Sequence, residues 1–181
     1  MKVYYQSPIG TILIKTSETG IQRLIYVDEN EMASQRILPK NLNEMTSQCI
    51  RQLDEYFSGK RHDFELPLDL QGTPFQKKVW EELLKIPYGK TISYKELAIR
   101  LGDVKAIRAV GTANGMNHIN IIVPCHRVIG SDGKLVGYGG GLWRKKWLLE
   151  HENPKFQIPD SKRKSNPNNQ KNKGQLNLFT L

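Results

Sequence analysis

The chain is organised around the segment Ile121-Ile122-Val123-Pro124-Cys125-His126-Arg127-Val128-Ile129. Its apolar residues predict a buried extended segment. Pro124 fixes its own φ and has no N–H, so we expect a rigid bend that presents Cys125. His126 and Arg127 follow at once, and positive neighbours lower the pKa of a thiol because they favour the thiolate. The alternative is a buried cysteine that only fills space in the core.

Three other segments accompany this one. They are Arg108-Ala109-Val110-Gly111-Thr112-Ala113-Asn114-Gly115-Met116-Asn117, Gly137-Tyr138-Gly139-Gly140-Gly141 and His151-Glu152. In this order the segments resemble those of the O6-alkylguanine-DNA alkyltransferases, a family that repairs alkylated DNA bases by direct transfer. The resemblance is specific over residues 72–152, and it extends to the first seventy residues only in general pattern.

The composition allows a core and excludes several classes of protein. A chain of 181 residues with 38% hydrophobic residues forms one domain or two small ones. Cys49 and Cys125 are its two cysteines, so we expect neither a disulfide framework nor a Cys-x-x-Cys metal site. The opening Met1-Lys2-Val3-Tyr4-Tyr5 lacks the apolar core of a signal peptide, and no apolar run reaches membrane-spanning length.

Charge divides the chain unevenly. Residues 1–70 hold 8 Lys and Arg against 10 Asp and Glu, whereas residues 71–181 hold 19 against 8. A basic surface confined to one part of a chain predicts a polyanion partner for that part. The alternative is a solvated basic surface without a partner.

Residues 1–70 predict a small N-terminal α/β domain. Strand-like runs at residues 2–6, 11–15 and 22–27 are separated by turn residues. Apolar spacing predicts a helix over residues 42–57, with Cys49 on its buried stripe. No residue of this domain indicates chemistry.

Residues 71–156 predict a helical domain. Thr73, Pro74 and Gln76 carry the start signals of its first helix. Further helices are expected at residues 93–101, 105–115 and 142–151. The resemblance implies the complete fold class: α/β (α+β), with a ribonuclease H-like N-terminal domain followed by a winged helix-turn-helix domain that carries the active site.

The helices at residues 93–101 and 105–115 are joined by the tight link Gly102-Asp103-Val104, which is typical of a helix-turn-helix. The second of them is rich in Ala and Gly. Small side chains allow close approach to a DNA groove, with Lys105 and Arg108 as the long reaching groups. They equally allow close packing against another helix.

Residues 157–181 predict a disordered basic tail, because Lys, Asn, Ser and Pro dominate its first part. The tail ends in an apolar cluster with no core to join. Gln175, Leu176, Leu178 and Phe179 resemble the peptide with which bacterial repair proteins hold the DNA polymerase sliding clamp. The alternative is a tail that folds back onto the first domain.

The resemblance implies a reaction at Cys125. Its sulfur attacks the methyl carbon of O6-methylguanine, and of O4-methylthymine as a lesser substrate, after the nucleotide has been rotated out of the duplex. His126 is the implied general base, acting through a bridging water, and Glu152 orients it. Asn117 is the implied hinge, and Tyr94 is an implied donor to guanine N3. One transfer per molecule, without a cofactor, follows.

DNA contacts are implied along the helix-turn-helix. Arg108 is the implied finger that fills the gap left by the flipped nucleotide, and Tyr94 crowds its phosphate. The other implied contacts are Lys95, Asp103, Lys105 and Ser131. Asp103 would repel phosphate unless it caps a helix. The implied partner is double-stranded DNA, entered from the minor groove with little sequence specificity.

The implied substrate pocket consists of Val128, Tyr138, Gly139, Gly140 and Lys145. Tyr138 and the Gly139 amide are donors near O6, and Val128 offers a carbonyl to the guanine amine. Gly139 and Asn120 depart from family members with serine and proline there, which leaves the accepted alkyl size open.

Two other functions compete with repair. A protein of the alkyltransferase-like type would bind the lesion without reacting, but such proteins carry another residue in place of Cys125. A cysteine hydrolase would need an oxyanion hole and gains nothing from a basic helix-turn-helix.

We expect a monomer in the reducing bacterial cytoplasm, associated with the nucleoid, with no metal and no membrane partner.

Overall fold

The structure, a computed structural model, describes residues 1–28 and 42–158. It opens with an antiparallel sheet in the order β1-β2-β3, whose strands are β1 (Lys2–Ser7), β2 (Gly10–Thr16) and β3 (Ile21–Tyr26). Helix α1 (Glu44–Phe57) packs on the sheet through a buried stripe that contains Cys49 and Tyr56. The predicted strands and helix are confirmed, as is the core position of Cys49.

The second part of the chain is mainly helical. Helix α2 (Pro74–Leu83) begins with the predicted reciprocal pair, in which the Thr73 hydroxyl accepts from the Gln76 N–H and the Gln76 side chain accepts from the Thr73 N–H. The remaining elements are β4 (Ile92–Ser93), α3 (Tyr94–Arg100), α4 (Ile107–Gly115), β5 (Val128–Ile129) and α5 (Leu142–Glu152). Strands β4 and β5 pair in parallel. This mixed architecture confirms the predicted fold class.

Helices α3 and α4 pack against each other across a tight turn. The chain reverses at Gly102, whose φ of 87° disfavours any residue with a side chain. Asp103 then accepts from the Lys105 N–H at 2.8 Å and begins a single 3-10 turn, Val104–Ala106. Because this turn comes first, α4 begins two residues later than predicted.

The loop before Cys125 is not extended, so that prediction is wrong. The Ile122 N–H donates to the Asn120 carbonyl and the Val123 N–H donates to the Ile119 carbonyl, after which Cys125–Arg127 form a 3-10 turn. Ile121 has a φ of 72°, a strained conformation for a β-branched residue. The segment is buried, as predicted. An apolar run reports burial, and it does not distinguish a strand from a folded loop.

One hydrophobic core joins the N-terminal sheet and α1 to α2, α4 and α5. At β3, the Leu24 N–H donates to the His118 carbonyl and the Leu24 carbonyl accepts from the Asn120 N–H, both at 2.8 Å. The loop that leads to Cys125 is therefore attached directly to the N-terminal sheet.

Within residues 1–28 and 42–158, no helix has the length and hydropathy needed to cross a bilayer. Residues 159–181 of the predicted basic tail, which include the peptide at residues 175–179, lie outside the described residues.

Candidate active site

Cys125 begins the 3-10 turn and is only 3% exposed. The Asn117 side-chain amide donates to its Sγ at 3.1 Å, and the thiol donates to Oδ1 of Asn120 at 3.7 Å. The same Asn117 amide donates to the Val123 carbonyl at 2.8 Å. Asn117 follows α4, so its side chain connects the helix-turn-helix to the cysteine loop and touches the sulfur at the same time.

The imidazole of His126 faces Glu152, at the end of α5. Nε2 lies 2.7 Å from Oε1 of Glu152. Burial opposes ionisation of this carboxyl, but His126 and Arg127 outweigh burial and hold the pKa of Glu152 well below its usual range. An ionised Glu152 makes Nε2 the protonated nitrogen, which leaves Nδ1 as an acceptor. Nδ1 is buried and has no hydrogen-bond partner among the described residues.

His126 is poised to take a proton. Burial lowers its pKa, although Glu152 acts in the opposite direction. The imidazole is therefore neutral at pH 7, as a general base must be.

Arg127 binds the same carboxylate from the other side. Its Nε donates to Oε2 of Glu152 at 2.8 Å and Nη2 donates to Oε1 at 3.0 Å, a two-pronged contact. Nη1 donates to the Ile86 carbonyl at 2.6 Å. The guanidinium is thus committed to Glu152 and to backbone.

The predicted lowering of the thiol pKa is wrong for this structure. Burial raises the pKa of Cys125, and it outweighs the Asn117 hydrogen bond and the Lys145 charge, which both lower it. His126 and Arg127 were the expected activating neighbours, but both direct their polar atoms at Glu152.

Two donors to Glu152 were missed by the sequence analysis. The Tyr56 hydroxyl, from α1, donates to Oε1 at 2.9 Å, and the Gly89 N–H donates to Oε2 at 3.2 Å. Tyr56 precedes Glu152 by 96 residues and occupies a core position of a helix. Gly89 lies in a turn after α2. Neither residue carries a sequence signal for this role.

Lys145, one of the residues predicted to form the substrate pocket, is fully buried. Its ammonium group lies at the edge of that pocket. Nζ donates to the carbonyls of Val128 and Val136 at 2.7 Å each and to that of Gly137 at 3.2 Å. Burial lowers the pKa of Lys145 to about 8, while Cys125 acts to raise it. The Val128 carbonyl, which was predicted to accept from the guanine amine, therefore already accepts a hydrogen bond from Lys145.

In the segment from Gly137 to Gly141, one glycine has no space for a side chain and its neighbour has space for one. A β-carbon on Gly140 would lie 2.6 Å from the Tyr26 ring, so only glycine fits. On Gly139 it would meet only the Gly115 carbonyl, at 3.9 Å, so a side chain has room there. Arg144, also missed by the sequence analysis, donates to the Gly140 carbonyl at 2.8 Å.

Tyr138 contributes a buried hydroxyl close to that of Tyr26. Neither hydroxyl meets the geometry of a hydrogen bond with another group in the described part of the chain. Burial raises the pKa of Tyr138, so it stays protonated at neutral pH. Such a donor is available to a polar ligand atom.

A cleft of about 540 Å³ opens on the helix-turn-helix and is lined by Tyr94, Ile107, Arg108, Gly111, Thr112, Val136 and Gly137. Tyr94 lines this cleft and is linked to Cys125 through Asn114. Its hydroxyl donates to the Val136 carbonyl at 3.1 Å and accepts from the Asn114 amide, which also reaches the Cys125 carbonyl, both at 3.5 Å. Tyr94 and Val136, which both line the cleft, are therefore joined by a hydrogen bond.

The predicted DNA contacts are distributed over the surface around this cleft and its flanking loops. Arg108 and Tyr94 meet in the cleft itself. Lys95, Lys105 and Ser131 are exposed. Asp103 caps the 3-10 turn through the Lys105 N–H, which is the role that makes a carboxylate acceptable at this position.

Cys49 remains a neutral thiol at pH 7, because burial raises its pKa to about 12. In the part of the chain that the structure describes, no group of three or more His, Cys, Asp or Glu side chains is arranged to hold a metal ion.

Two family models match the chain in succession. The ribonuclease-like domain of 6-O-methylguanine DNA methyltransferase matches residues 1–70, and the DNA binding domain of the same protein matches residues 74–154. Among curated relatives, the methylated-DNA--protein-cysteine methyltransferase of Methanosarcina barkeri is 47% identical over 153 residues, 83% of this chain and 97% of the relative. That of Mycobacterium leprae is 49% identical over 146 residues, 81% of this chain and 88% of the relative.

Solved structures that are similar to this chain indicate the same family as these relatives. The O6-methylguanine methyltransferase of Mycobacterium tuberculosis superposes with a TM-score of 0.73 at 44% identity, covering 88% of this chain and 97% of that one. The M. tuberculosis OGT in complex with DNA gives a TM-score of 0.74 at 45% identity, covering 83% and 91%. By sequence and by fold, the chain belongs to the 6-O-methylguanine DNA methyltransferase family.

Proposed function

We propose that this protein repairs DNA by transferring the methyl group of O6-methylguanine, and to a lesser extent that of O4-methylthymine, to Cys125. One observation carries the proposal: Asn117 holds the Cys125 sulfur, and the next residue in the chain, His126, is bound to Glu152 through Nε2 and has an Nδ1 without a partner among the described residues. The names of the relatives and the DNA complex of M. tuberculosis OGT support methylated DNA as the substrate.

The reaction is a substitution at the methyl carbon. The thiol proton passes through one bridging water to Nδ1 of His126, and the sulfur forms a bond to carbon as the bond from carbon to O6 breaks. The electron pair of the broken bond stays on guanine, which takes up a proton on release. The thioether on Cys125 has no second nucleophile to remove it, so each molecule reacts once.

Donors around the base stabilise the leaving guanine. The buried Tyr138 hydroxyl, which has no partner of hydrogen-bond geometry in the described ranges, and the Gly139 amide are proposed to face O6, where negative charge develops. Tyr94 is proposed to donate to ring N3, and the second lone pair of the Val128 carbonyl to accept from the guanine amine. A nucleotide that enters the cleft must first separate Tyr94 from Val136, so the closed contact is a gate in the proposed path.

The nucleotide reaches this gate after it is flipped from the duplex. Arg108 lines the cleft and is proposed to occupy the vacated place in the stack, where its planar guanidinium stacks on neighbouring bases. Lys95, Lys105 and Ser131 are proposed to contact phosphates. We assign Asp103 to capping the turn that presents Lys105, instead of to DNA.

The division into domains, the contact with a sliding clamp, the monomeric state and the location of the protein are further parts of this proposal. The chain divides into an N-terminal domain at residues 1–70, an alkyl-transfer domain at residues 71–156 and a basic tail at residues 157–181. The spans of the two family models support the first boundary. The tail binds a sliding clamp through Gln175, Leu176, Leu178 and Phe179, and the protein acts as a cytoplasmic monomer on the nucleoid.

Intact mass before and after exposure to a duplex with O6-methylguanine tests the central proposal. We expect a gain of one methyl group per molecule, absent from Cys125→Ser. A protein that binds the duplex and gains no mass would be a lesion binder, and repeated turnover without a mass change would indicate a hydrolase.

A further inference from the structure

One hydroxyl of the N-terminal domain enters the His126–Glu152 pair. Tyr56, on α1, donates to Oε1 of Glu152 at 2.9 Å, and the same oxygen accepts from Nε2 of His126 at 2.7 Å. Tyr56 is fully buried, so this bond is shielded from water. Nη2 of Arg127 donates to this oxygen as well, at 3.0 Å, so three donors share Oε1 and compete for its charge.

Packing leaves the hydroxyl little freedom. The Tyr56 ring meets the rings of Phe64 at 5.5 Å, Tyr88 at 6.2 Å and His151 at 5.2 Å between centroids. The backbone carbonyl of Tyr56 also lies 2.8 Å from Nε2 of His151 on α5. The ring is thus fixed from both domains, and its hydroxyl position follows from that packing.

We infer that Tyr56 is a positioning residue for methyl transfer: its hydroxyl fixes the Glu152 carboxylate and weakens the attraction of that carboxylate for the His126 N–H. This inference rests on the proposed function. A donor on Oε1 spreads the negative charge that would otherwise concentrate on the His126 N–H. Other charged or polar groups that face this pair are Arg127 and the Gly89 N–H on Glu152 and the Lys145 charge near His126.

The sign of the effect can be worked out from these contacts. Without the Tyr56 hydroxyl, Glu152 attracts the proton on Nε2 more strongly and favours the imidazolium. The pKa of His126 then rises, and the base is lost to protonation at a higher pH. The acidic limb of the pH–rate profile should move to higher pH.

The test is the pH–rate profile of single-turnover methyl transfer to duplex DNA, with Tyr56→Phe compared with wild type. We expect the rate at pH 6 to fall about tenfold, the effect of losing one hydrogen bond to a charged group, and to recover partly at pH 8. The matched control is Tyr5→Phe, which removes a hydroxyl that donates to the Asp54 carboxylate at 2.8 Å in the same domain, away from Cys125. Its profile should match the wild type.

A Tyr56→Phe profile that coincides with that of Tyr5→Phe would overturn the inference while leaving the proposed function intact. A wild-type protein that gains no methyl group would overturn both. Should Tyr56→Phe not fold, 3-fluorotyrosine placed at position 56 supplies a stronger donor. The acidic limb must then move to lower pH, and an unmoved limb would overturn the inference.

Discussion

Nζ of Lys145 lies 2.7 Å from the carbonyl oxygen of Val136, so a buried cation on α5 holds the edge of the pocket. Val136 is also the residue whose carbonyl accepts from Tyr94 at the gate. The lysine therefore fixes one side of the gate and places a positive charge near Cys125.

Replacing Lys145 by Met should impair transfer by removing both effects. We expect the rate with the free base O6-methylguanine to fall about 100-fold, comparable with the loss of one preorganised charge contact in an active site. The transfer rate is measured by quenching the reaction at intervals and determining the intact mass of the protein. Lys146→Met is the control, because Lys146 is exposed and pairs only loosely with Glu150, at 3.7 Å. Equal rates for both variants would contradict this role.

The pKa of Lys145, about 8, also predicts an alkaline limit. As pH rises through this value the ammonium loses its charge and one of its three donors. The thiolate then loses a positive neighbour, and one pocket carbonyl loses its partner. We expect the wild-type transfer rate to decline above about pH 8, relative to the rise in thiolate, whereas Lys145→Met should show no such decline. A pH series with the free base O6-methylguanine distinguishes the two curves.

Arg127→Met should destabilise the fold, because it leaves Glu152 buried with less compensation. We expect a loss of about 3–5 kcal/mol in the free energy of unfolding, measured by urea denaturation at pH 7. Arg61→Met, which breaks the partly exposed pair with Glu55, should cost about 1 kcal/mol or less.

The pH dependence of this loss has a definite sign. The folded pKa of Glu152 is depressed, so its contribution to stability is complete above the unfolded value of about 4.3 and disappears as pH falls toward the folded value. The difference between wild type and Arg127→Met should therefore shrink in acid. A difference that stays constant from pH 7 to pH 3 would contradict the assignment.

Arg108→Ala should separate DNA binding and flipping from chemistry. Arg108 lines the cleft, and Cys125 is linked to it only through Asn114 and Tyr94. We expect transfer from duplex DNA to slow about tenfold or more, because nothing fills the vacated stack, while the rate with the free base O6-methylguanine stays within about twofold. Lys146→Ala, which removes the same charge outside the cleft, controls for net charge. Equal slowing of both reactions would place Arg108 in the pocket instead.

Deletion of residues 175–179 should abolish association with a sliding clamp and leave transfer to short duplexes unchanged. The reason is that the apolar residues Leu176, Leu178 and Phe179 end a polar, basic tail and are predicted to bind outside the catalytic domain. Surface plasmon resonance on immobilised clamp measures the association. Undiminished clamp affinity of the shortened protein would remove the proposal.

Local sequence determined much of this protein. Thr73 with Gln76 marked the start of α2 because capping uses residues three apart, and periodic apolar residues located α1 with Cys49 in the core. The cysteine segment with its neighbours sufficed to indicate the family. These features depend on residues close together in the chain, which is why they can be read without coordinates.

The tertiary structure decided what each polar group touches. His126 and Arg127 adjoin Cys125 in sequence, yet the 3-10 turn sends both to Glu152 and leaves the sulfur to Asn117, Asn120 and the charge of Lys145. Tyr56 enters the same cluster from a domain in which the sequence showed no chemistry. Burial and hydrogen bonding depend on distance in space, and a chain that folds two parts onto one core sets those distances only when the packing is complete.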